Sequence, residues 1–189
     1  MRISGGVARG IPLVVPKGEL VRPATDRLRQ AVFSSLAARM PGTRFLDLFA
    51  GSGAYGLEAL SRGASGGVFV ERNPRAIECL RRNLAAVCKS LKRDESADIA
   101  VFPGDATRPP AIGGAPDLVF VDPPYEMIES AAAVLFARLT ELLKGRPDAI
   151  VVFEMPGECE LAPGGWRAVR RLGKGGRQPT AVFFVQEGS

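Results

Sequence analysis

The chain has 189 residues, of which 46% are hydrophobic, and a formal net charge of +5 at pH 7. This length and composition predict a single folded unit with one full core. No apolar run approaches the roughly 18 residues that a membrane span needs, and the first ten residues lack the apolar stretch of a signal peptide. We therefore expect a cytoplasmic protein that makes no membrane contact.

Residue usage excludes several kinds of site. The three cysteines, Cys79, Cys88 and Cys159, have no C-x-x-C spacing, and the chain contains no histidine. Histidine is the commonest metal ligand and the commonest general base. We expect no metal and no disulfide, so that any chemistry uses carboxylates, backbone groups and a cofactor. We also expect a monomer, because no additional apolar face is evident.

Cationic residues are concentrated in two segments. Residues 1–30 carry six cationic and two acidic side chains, and residues 165–180 carry five cationic side chains and no acid. The rest of the chain is therefore net acidic. Basic segments on either side of an acidic central part are typical of a protein that binds a polyanion beside a site for a positively charged group. The alternative is a surface that only aids solubility.

In chain order, residues 1–24 predict a β-hairpin arm, followed by one domain over residues 25–189. That domain starts with a helix at about 26–40. Arg27 and Arg29 lie in its first turn, where positive charge interacts unfavourably with the helix dipole. Either these arginines bind an anion or they simply reach solvent. Short apolar runs then alternate with helical stretches at 55–63, 73–89 and 127–143. The runs predict buried strands of a parallel sheet, and they lie at 44–50, 67–71, 99–105, 118–122 and 149–154. Two more segments, 166–172 and 180–187, predict a hairpin on the sheet's edge. The pattern predicts a doubly wound α/β fold.

A glycine-rich motif, "GSGAYG" at 51–56, lies between a predicted strand and a predicted helix. Glu71 follows twenty residues after Gly51, as in dinucleotide-binding folds. Asp47, however, would repel a pyrophosphate and would attract the ammonium and sulfonium of S-adenosylmethionine. The acid therefore favours a methyl donor over a nicotinamide dinucleotide.

Acidic residues terminate four successive apolar runs, at Asp47, Glu71, Asp105 and Asp122. In a doubly wound sheet these positions meet at the carboxyl edge, where ligands bind. We expect Asp47 to hold the amino-acid part of the cofactor, Glu71 to accept its ribose hydroxyls and Asp105 to accept from its adenine amino group. Gly51 and Gly53 would let the cofactor approach the backbone. The remaining predicted cofactor contacts are their neighbours Ser52, Arg72 and Ala106. The alternative for each acid is a solvated turn.

The "DPPY" sequence at 122–125 matches the needs of amine methylation. An exocyclic base nitrogen is a poor nucleophile, because its lone pair is delocalised. The Asp122 carboxylate and the Pro123 carbonyl would each accept one of its N–H groups and stabilise developing positive charge. Pro123 and Pro124 stiffen the turn and remove competing donors. Tyr125 would stack on the base, which must be unpaired or flipped out. The alternative is a Pro-rich turn without catalytic function.

These motifs, with "RPATDRLRQ" at 22–30 and the opening "RISGG", resemble the small-subunit methyltransferase D family, bacterial guanine-N2 methyltransferases of 16S ribosomal RNA. The resemblance implies a seven-stranded, Rossmann-like methyltransferase sheet, S-adenosylmethionine as donor, and ribosomal RNA or the assembling small subunit as partner. It also implies that Thr25 lies against the methionine end of the cofactor. RNA contacts are expected from four arginines, Arg2, Arg9, Arg22 and Arg27. Tyr55 departs from the leucine common in this family.

Two other functions stay open from the sequence. A DNA adenine-N6 or cytosine-N4 methyltransferase shares "DPPY", but 189 residues leave little room for a target-recognition region. A non-catalytic RNA-binding assembly factor could keep the fold, although the intact acids and glycines speak against it.

Overall fold

The computed structural model describes residues 1–18, 23–94, 98–176 and 178–188, and for residues 23 and 24 the backbone only. Seven strands form one sheet within these residues: β1 (Arg44–Leu48), β2 (Gly66–Glu71), β3 (Ile99–Pro103), β4 (Leu118–Val121), β5 (Ile150–Pro156), β6 (Trp166–Leu172) and β7 (Pro179–Gln186). Their order is β3-β2-β1-β4-β5-β7-β6.

Strands β1 to β5 are mutually parallel, and β7 runs antiparallel to both β5 and β6. This arrangement confirms the predicted doubly wound sheet and places the β6–β7 hairpin at its edge. The strand order reverses between β1 and β4, so their carboxyl ends flank the crevice where ligands bind in open α/β sheets.

Helices cover both faces of the sheet. Helices α1 (Pro23–Ser35), α2 (Ala54–Ser61) and α3 (Pro74–Leu91) pack on one face, and α4 (Ile128–Leu142) packs on the other. Short 3-10 turns follow α1 at Ala37–Arg39 and precede α4 at Tyr125–Met127. Both core layers consist mainly of Leu, Val, Ile and Phe side chains, as buried parallel strands require. We find no helix, among the described residues, that is long and apolar enough to cross a membrane.

The start of α3 shows why local sequence predicted it well. The Asn73 side chain accepts a hydrogen bond from the Arg75 amide at 3.0 Å, and Pro74 occupies the first turn. An N-cap asparagine satisfies a backbone donor that the helix itself leaves unpaired, and proline has no such donor at this position.

The N-terminal segment pairs with itself and packs on α2. Arg2 and Pro12 form an antiparallel bridge, and the Ile3 amide donates to the Ile11 carbonyl at 3.0 Å. Glu58 of α2, fully buried, accepts from the Ser4 amide at 2.8 Å and from its hydroxyl at 2.6 Å. The arm is therefore fixed to the sheet's helical layer; the domain boundary at residue 24 stays a prediction.

Several element ends differ from the predicted ones, most of all that of α1, which ends at Ser35 rather than at about 40. Helix α1 begins at Pro23 rather than at about 26, β1 ends at Leu48 rather than at 50, and β3 ends at Pro103 rather than at 105. The apolar run at 99–105 is shortened because Gly104 leaves the strand, so Asp105 lies two residues beyond the end of β3.

Candidate active site

A cavity of about 590 Å³ opens at the carboxyl ends of β1, β2, β4 and β5. It lies where the sheet's order reverses, which is the expected place for a ligand in this architecture. Most of the predicted site residues line it: Thr25, Asp47, Gly51, Ser52, Glu71, Arg72, Ala106, Asp122, Pro123, Pro124 and Tyr125. The fold thus brings the glycine-rich loop and the "DPPY" turn to one chamber.

Backbone amides hold Glu71 in place. Its Oε2 accepts from the Gly51 amide at 2.8 Å, and its Oε1 accepts from the amides of Arg72 at 2.9 Å and Asn73 at 2.7 Å. Gly51 has a φ of +54°, a left-handed conformation that glycine adopts without a Cβ clash. A carboxylate that bonds the glycine-rich loop directly fixes the distance between this loop and the end of β2.

Asp47 lies deeper in the cavity and is 2% exposed. Its Oδ2 accepts from the Gly56 amide in the first turn of α2 at 2.8 Å. Burial raises the pKa of the Asp47 carboxyl well above its usual range, and the nearby charges of Asp122 and Glu71 raise it further. A cation placed in this cavity would relieve that unfavourable concentration of negative charge.

The "DPPY" turn begins at Asp122, immediately after the end of β4. The Asp122 amide donates to the Leu48 carbonyl of β1 at 3.4 Å, and the Met127 amide donates to the Pro124 carbonyl at 2.8 Å. The Asp122 side chain is open to water through the cavity, but protein surrounds it elsewhere and raises the pKa of its carboxyl to about 6. Tyr125 is 37% exposed at the cavity wall, where a planar ligand can reach its ring.

Two side chains that sequence reasoning did not place in the site, Tyr55 and Glu154, also line the cavity. The Tyr55 hydroxyl donates to Oε2 of Glu154 at 2.7 Å, and Glu154 is 3% exposed. Burial raises the pKa of both groups, and the charge of Asp122 adds to the effect. Glu154 ends the fifth apolar run, so the rule that found the other four acids also applies to it.

Arg29 is a third addition, and it does not reach solvent. It is 3% exposed, lines the cavity, and donates from Nη2 to the Arg2 carbonyl at 2.9 Å. Its Nη1 lies 3.0 Å from Oδ1 of Asp26. The guanidinium therefore ties the arm to α1 and supplies one positive charge beside the acids.

Two predicted cofactor residues lie outside the cavity lining. Asp105 is exposed, and its Oδ1 accepts from the Thr107 amide and hydroxyl, both at 2.9 Å; these bonds, the amide's above all, lower the pKa of its carboxyl. Gly53 instead faces the neighbouring helix: a Cβ built on it would lie 2.2 Å from Cδ1 of Leu80 in α3. The structure therefore gives Gly53 a packing role between α2 and α3.

Three of the four predicted RNA contacts are surface residues. Arg2, Arg9 and Arg27 are exposed on the arm and on α1, while Arg22 lies outside the described residues. Met1 and Val15 of the arm line the cavity, so the arm borders its opening. Across the described ranges, no group of three or more Cys, Asp or Glu side chains is arranged to hold a metal ion.

Comparison with known proteins gives the family. The model of the family described as conserved hypothetical protein 95 matches residues 1–182. The chain is 34% identical over 165 residues to the Bacillus subtilis protein YlbH, provisionally named an rRNA methyltransferase, covering 85% of each chain. It is 30% identical over 171 residues to the ribosomal RNA small subunit methyltransferase D of Haemophilus influenzae, covering 90% of this chain and 86% of that protein.

Solved structures agree with this result. The Escherichia coli protein yhhF superposes with a TM-score of 0.75 at 33% identity, covering 100% of this chain and 99% of that one. The match extends through the arm as well as the sheet. The chain therefore belongs to the conserved hypothetical protein 95 family, the family of the small-subunit ribosomal RNA methyltransferase D enzymes.

Proposed function

We propose that this methyltransferase transfers a methyl group from S-adenosylmethionine to the exocyclic N2 of a guanine in small-subunit ribosomal RNA. The single observation that carries the proposal is the meeting of Asp47, Glu71 and Asp122 with the rigid "DPPY" turn in one cavity. The name of the Haemophilus influenzae relative supports the small-subunit RNA as substrate. Such a substrate would place the activity in the cytoplasm.

The residues of the cavity fit the proposed methyl donor. The volume of about 590 Å³ lies within the range of about 300–1,000 Å³ typical of small-molecule sites. Asp47 and Asp122 offer negative charge to the ammonium and the sulfonium of this donor. A nicotinamide dinucleotide would carry neither of these cations in this position. Glu71 uses three backbone donors for orientation and, because a carboxylate offers about four acceptor positions, can still accept a ribose hydroxyl.

When bound, S-adenosylmethionine supplies an electrophilic methyl group on a positively charged sulfur. The protein's task is to present the amine nitrogen in line with it. Asp122 and the Pro123 carbonyl accept the two N–H groups, which turns the nitrogen lone pair toward the methyl group and stabilises the positive charge that develops. Tyr125 holds the base plane by stacking, which contributes on the order of 1–3 kcal/mol.

The reaction releases one proton from the nitrogen, because a new N–C bond forms while the S–C bond breaks. Asp122 is placed to receive that proton, and a pKa of about 6 lets it pass the proton to water near neutral pH. Asp122 thus serves two steps: it accepts the N–H bond before transfer and takes the proton afterwards.

The RNA itself would be gripped outside the cavity. A base in a duplex cannot reach Asp122, so the guanine must be unpaired or flipped out. The exposed cations Arg2, Arg9 and Arg27 lie on the arm and helix that border the opening, where they can neutralise phosphates.

A direct test uses small ribosomal subunits from cells that lack this gene, incubated with purified protein and S-adenosylmethionine. Digestion and mass spectrometry should find one N2-methylguanosine per subunit, and far less after the same reaction time with an Asp122→Ala variant. Methylation of adenine N6, of cytosine N4 or of DNA would replace the proposal with the DNA-type activity. No methylation with retained RNA binding would favour a non-catalytic assembly factor.

A further inference from the structure

The carboxylate of Glu154 is next to the proposed catalytic one. In the register of β4 with β5, Val121 pairs with Phe153, so Asp122 and Glu154 are the following residues of neighbouring strands. Adjacent strands lie about 4.8 Å apart, which brings the two backbones close enough for both side chains to contact one small ring. Both side chains line the cavity.

Tyr55 fixes the orientation of Glu154. The Tyr55 hydroxyl donates a hydrogen bond to Oε2 of Glu154. The Tyr55 ring stacks on Phe120, with centroids 5.2 Å apart and planes at 27°. In the described part of the chain, Oε1 of Glu154 accepts no hydrogen bond. The side chain therefore has one oxygen committed to the protein and one acceptor left for a ligand, in a position that packing makes rigid.

Guanine carries the donor that this acceptor needs. On its Watson–Crick edge the N1–H lies beside the N2 amino group, whereas adenine and 2-aminopurine present an unprotonated N1, which is an acceptor. We propose that Glu154 reads the N1–H of the target guanine while Asp122 and Pro123 hold its N2, so that Glu154 determines specificity for guanine. This inference rests on the proposed function, because it assumes that N2 is presented to the "DPPY" turn.

Burial explains why such a contact discriminates strongly. Glu154 is 3% exposed, so a base without a donor at N1 would face an acceptor that water cannot reach, and the contact would form only if Glu154 took up a proton. Sites built to bond a donor reject analogues that lack it far more strongly than apolar pockets reject a missing methylene. The buried Arg29 lies near enough to Glu154 to offset part of its charge, but it already donates to the Arg2 carbonyl and is ion-paired with Asp26.

The test compares guanine with 2-aminopurine, which keeps the N2 amine but has no N1–H. After the modified position has been mapped by mass spectrometry, a small-subunit RNA is ligated with either base at that position. We expect the wild-type protein to methylate guanine at least about 100-fold faster than 2-aminopurine. Glu154→Gln should reduce this ratio at least tenfold. Its amide group can turn a donor toward N1, which opposes the N1–H of guanine, so the main effect is a slower reaction with guanine.

Two further variants complete the design. Tyr55→Phe keeps the carboxylate but removes its hydrogen bond, so the ratio should fall to a value between those of wild type and Glu154→Gln. Glu129→Gln changes an exposed carboxylate in the first turn of α4 and should leave the ratio unchanged. S-adenosylhomocysteine binding, measured by calorimetry, should stay within threefold of wild type in all three.

The outcomes separate the inference from the function on which it rests. If Glu154→Gln and Tyr55→Phe both keep the wild-type ratio, Glu154 does not read the base. If Glu154→Gln instead loses S-adenosylhomocysteine binding, the residue belongs to the donor site and the inference is overturned. If wild-type protein methylates neither RNA, the proposed function itself fails.

Discussion

Replacing Asp122 by asparagine should separate catalysis from binding. The amide oxygen can still accept an N–H bond, but the negative charge opposite the reacting nitrogen is lost. Two full charges 4 Å apart interact by about 4 kcal/mol at an effective dielectric constant of 20. About half a charge develops on nitrogen in a transition state midway along the transfer, so the loss is about 2 kcal/mol, or roughly 30-fold in rate. Asp122→Ala also loses the hydrogen bond and should fall by roughly a further tenfold or more.

The measurement is single-turnover transfer of a radiolabelled methyl group to small subunits. S-adenosylhomocysteine binding should stay within threefold of wild type, and Glu129→Gln serves as the matched carboxylate control. A rate for Asp122→Asn within threefold of wild type would show that the negative charge of Asp122 does not stabilise the transition state.

The same variant makes a prediction about stability. An unfolded aspartate titrates near 4, and the pKa of Asp122 in the folded protein is about 6, so the native state holds more protons between these values. The unfolding free energy therefore falls as the pH rises through this window. At pH 7.5 the Asp122→Asn protein should melt at a temperature equal to or above that of wild type, while it is slower in catalysis. A clear decrease in melting temperature would show that the carboxylate stabilises the fold.

Three other predictions follow from the site and its surroundings. Affinity for S-adenosylmethionine should weaken below about pH 6, because the surrounding protein raises the pKa of both Asp47 and Asp122. Calorimetry in two buffers should show that binding releases protons, and an affinity that does not change with pH would contradict this. Gly53 has a φ of +86° and lies against Leu80, whereas Gly42 has a similar φ of +77° and open space around it. Gly53→Ala should therefore lose about 1–3 kcal/mol more unfolding free energy than Gly42→Ala. Equal losses in denaturant titrations would refute the packing role of Gly53. Replacing Arg9 and Arg27 together should lower the slope of log affinity for RNA against log salt by roughly 2, whereas Arg138→Ala on the opposite face should not change it.

The carboxyl edge of the sheet could be predicted from sequence because it follows from a local rule. Each strand of a parallel sheet is a continuous apolar run, and an acidic residue at or near its carboxyl end lies at the ligand-binding edge. That rule placed Asp47, Glu71 and Asp122 in the cavity. It also applied to Glu154, which ends the run at 149–154, but that residue was not recognised as part of the site from the sequence.

The remaining differences depend on tertiary neighbours. Gly53 belongs to a G-x-G-x-x-G pattern, yet what requires a glycine there is Leu80, whose side chain leaves no room for a Cβ. Leu80 lies in α3, twenty-seven residues later in the chain. Asp105 follows the edge strand, where β3 ends early and leaves the carboxylate exposed beside Thr107. Arg29 looks like any helical surface cation in sequence, and only the packing of the arm and α1 buries it. Such contacts between distant segments leave no local pattern.

Calorimetry of the purified protein with three ligands shows which class of cofactor the cavity binds. A cavity lined by Asp47, Glu71 and Asp122 should bind S-adenosylmethionine and S-adenosylhomocysteine and should not bind a nicotinamide dinucleotide, whose pyrophosphate these carboxylates repel. Saturable binding of the dinucleotide, with no heat from either methyl-donor ligand, would contradict the central claim that the acids of this sheet edge select a cationic methyl donor.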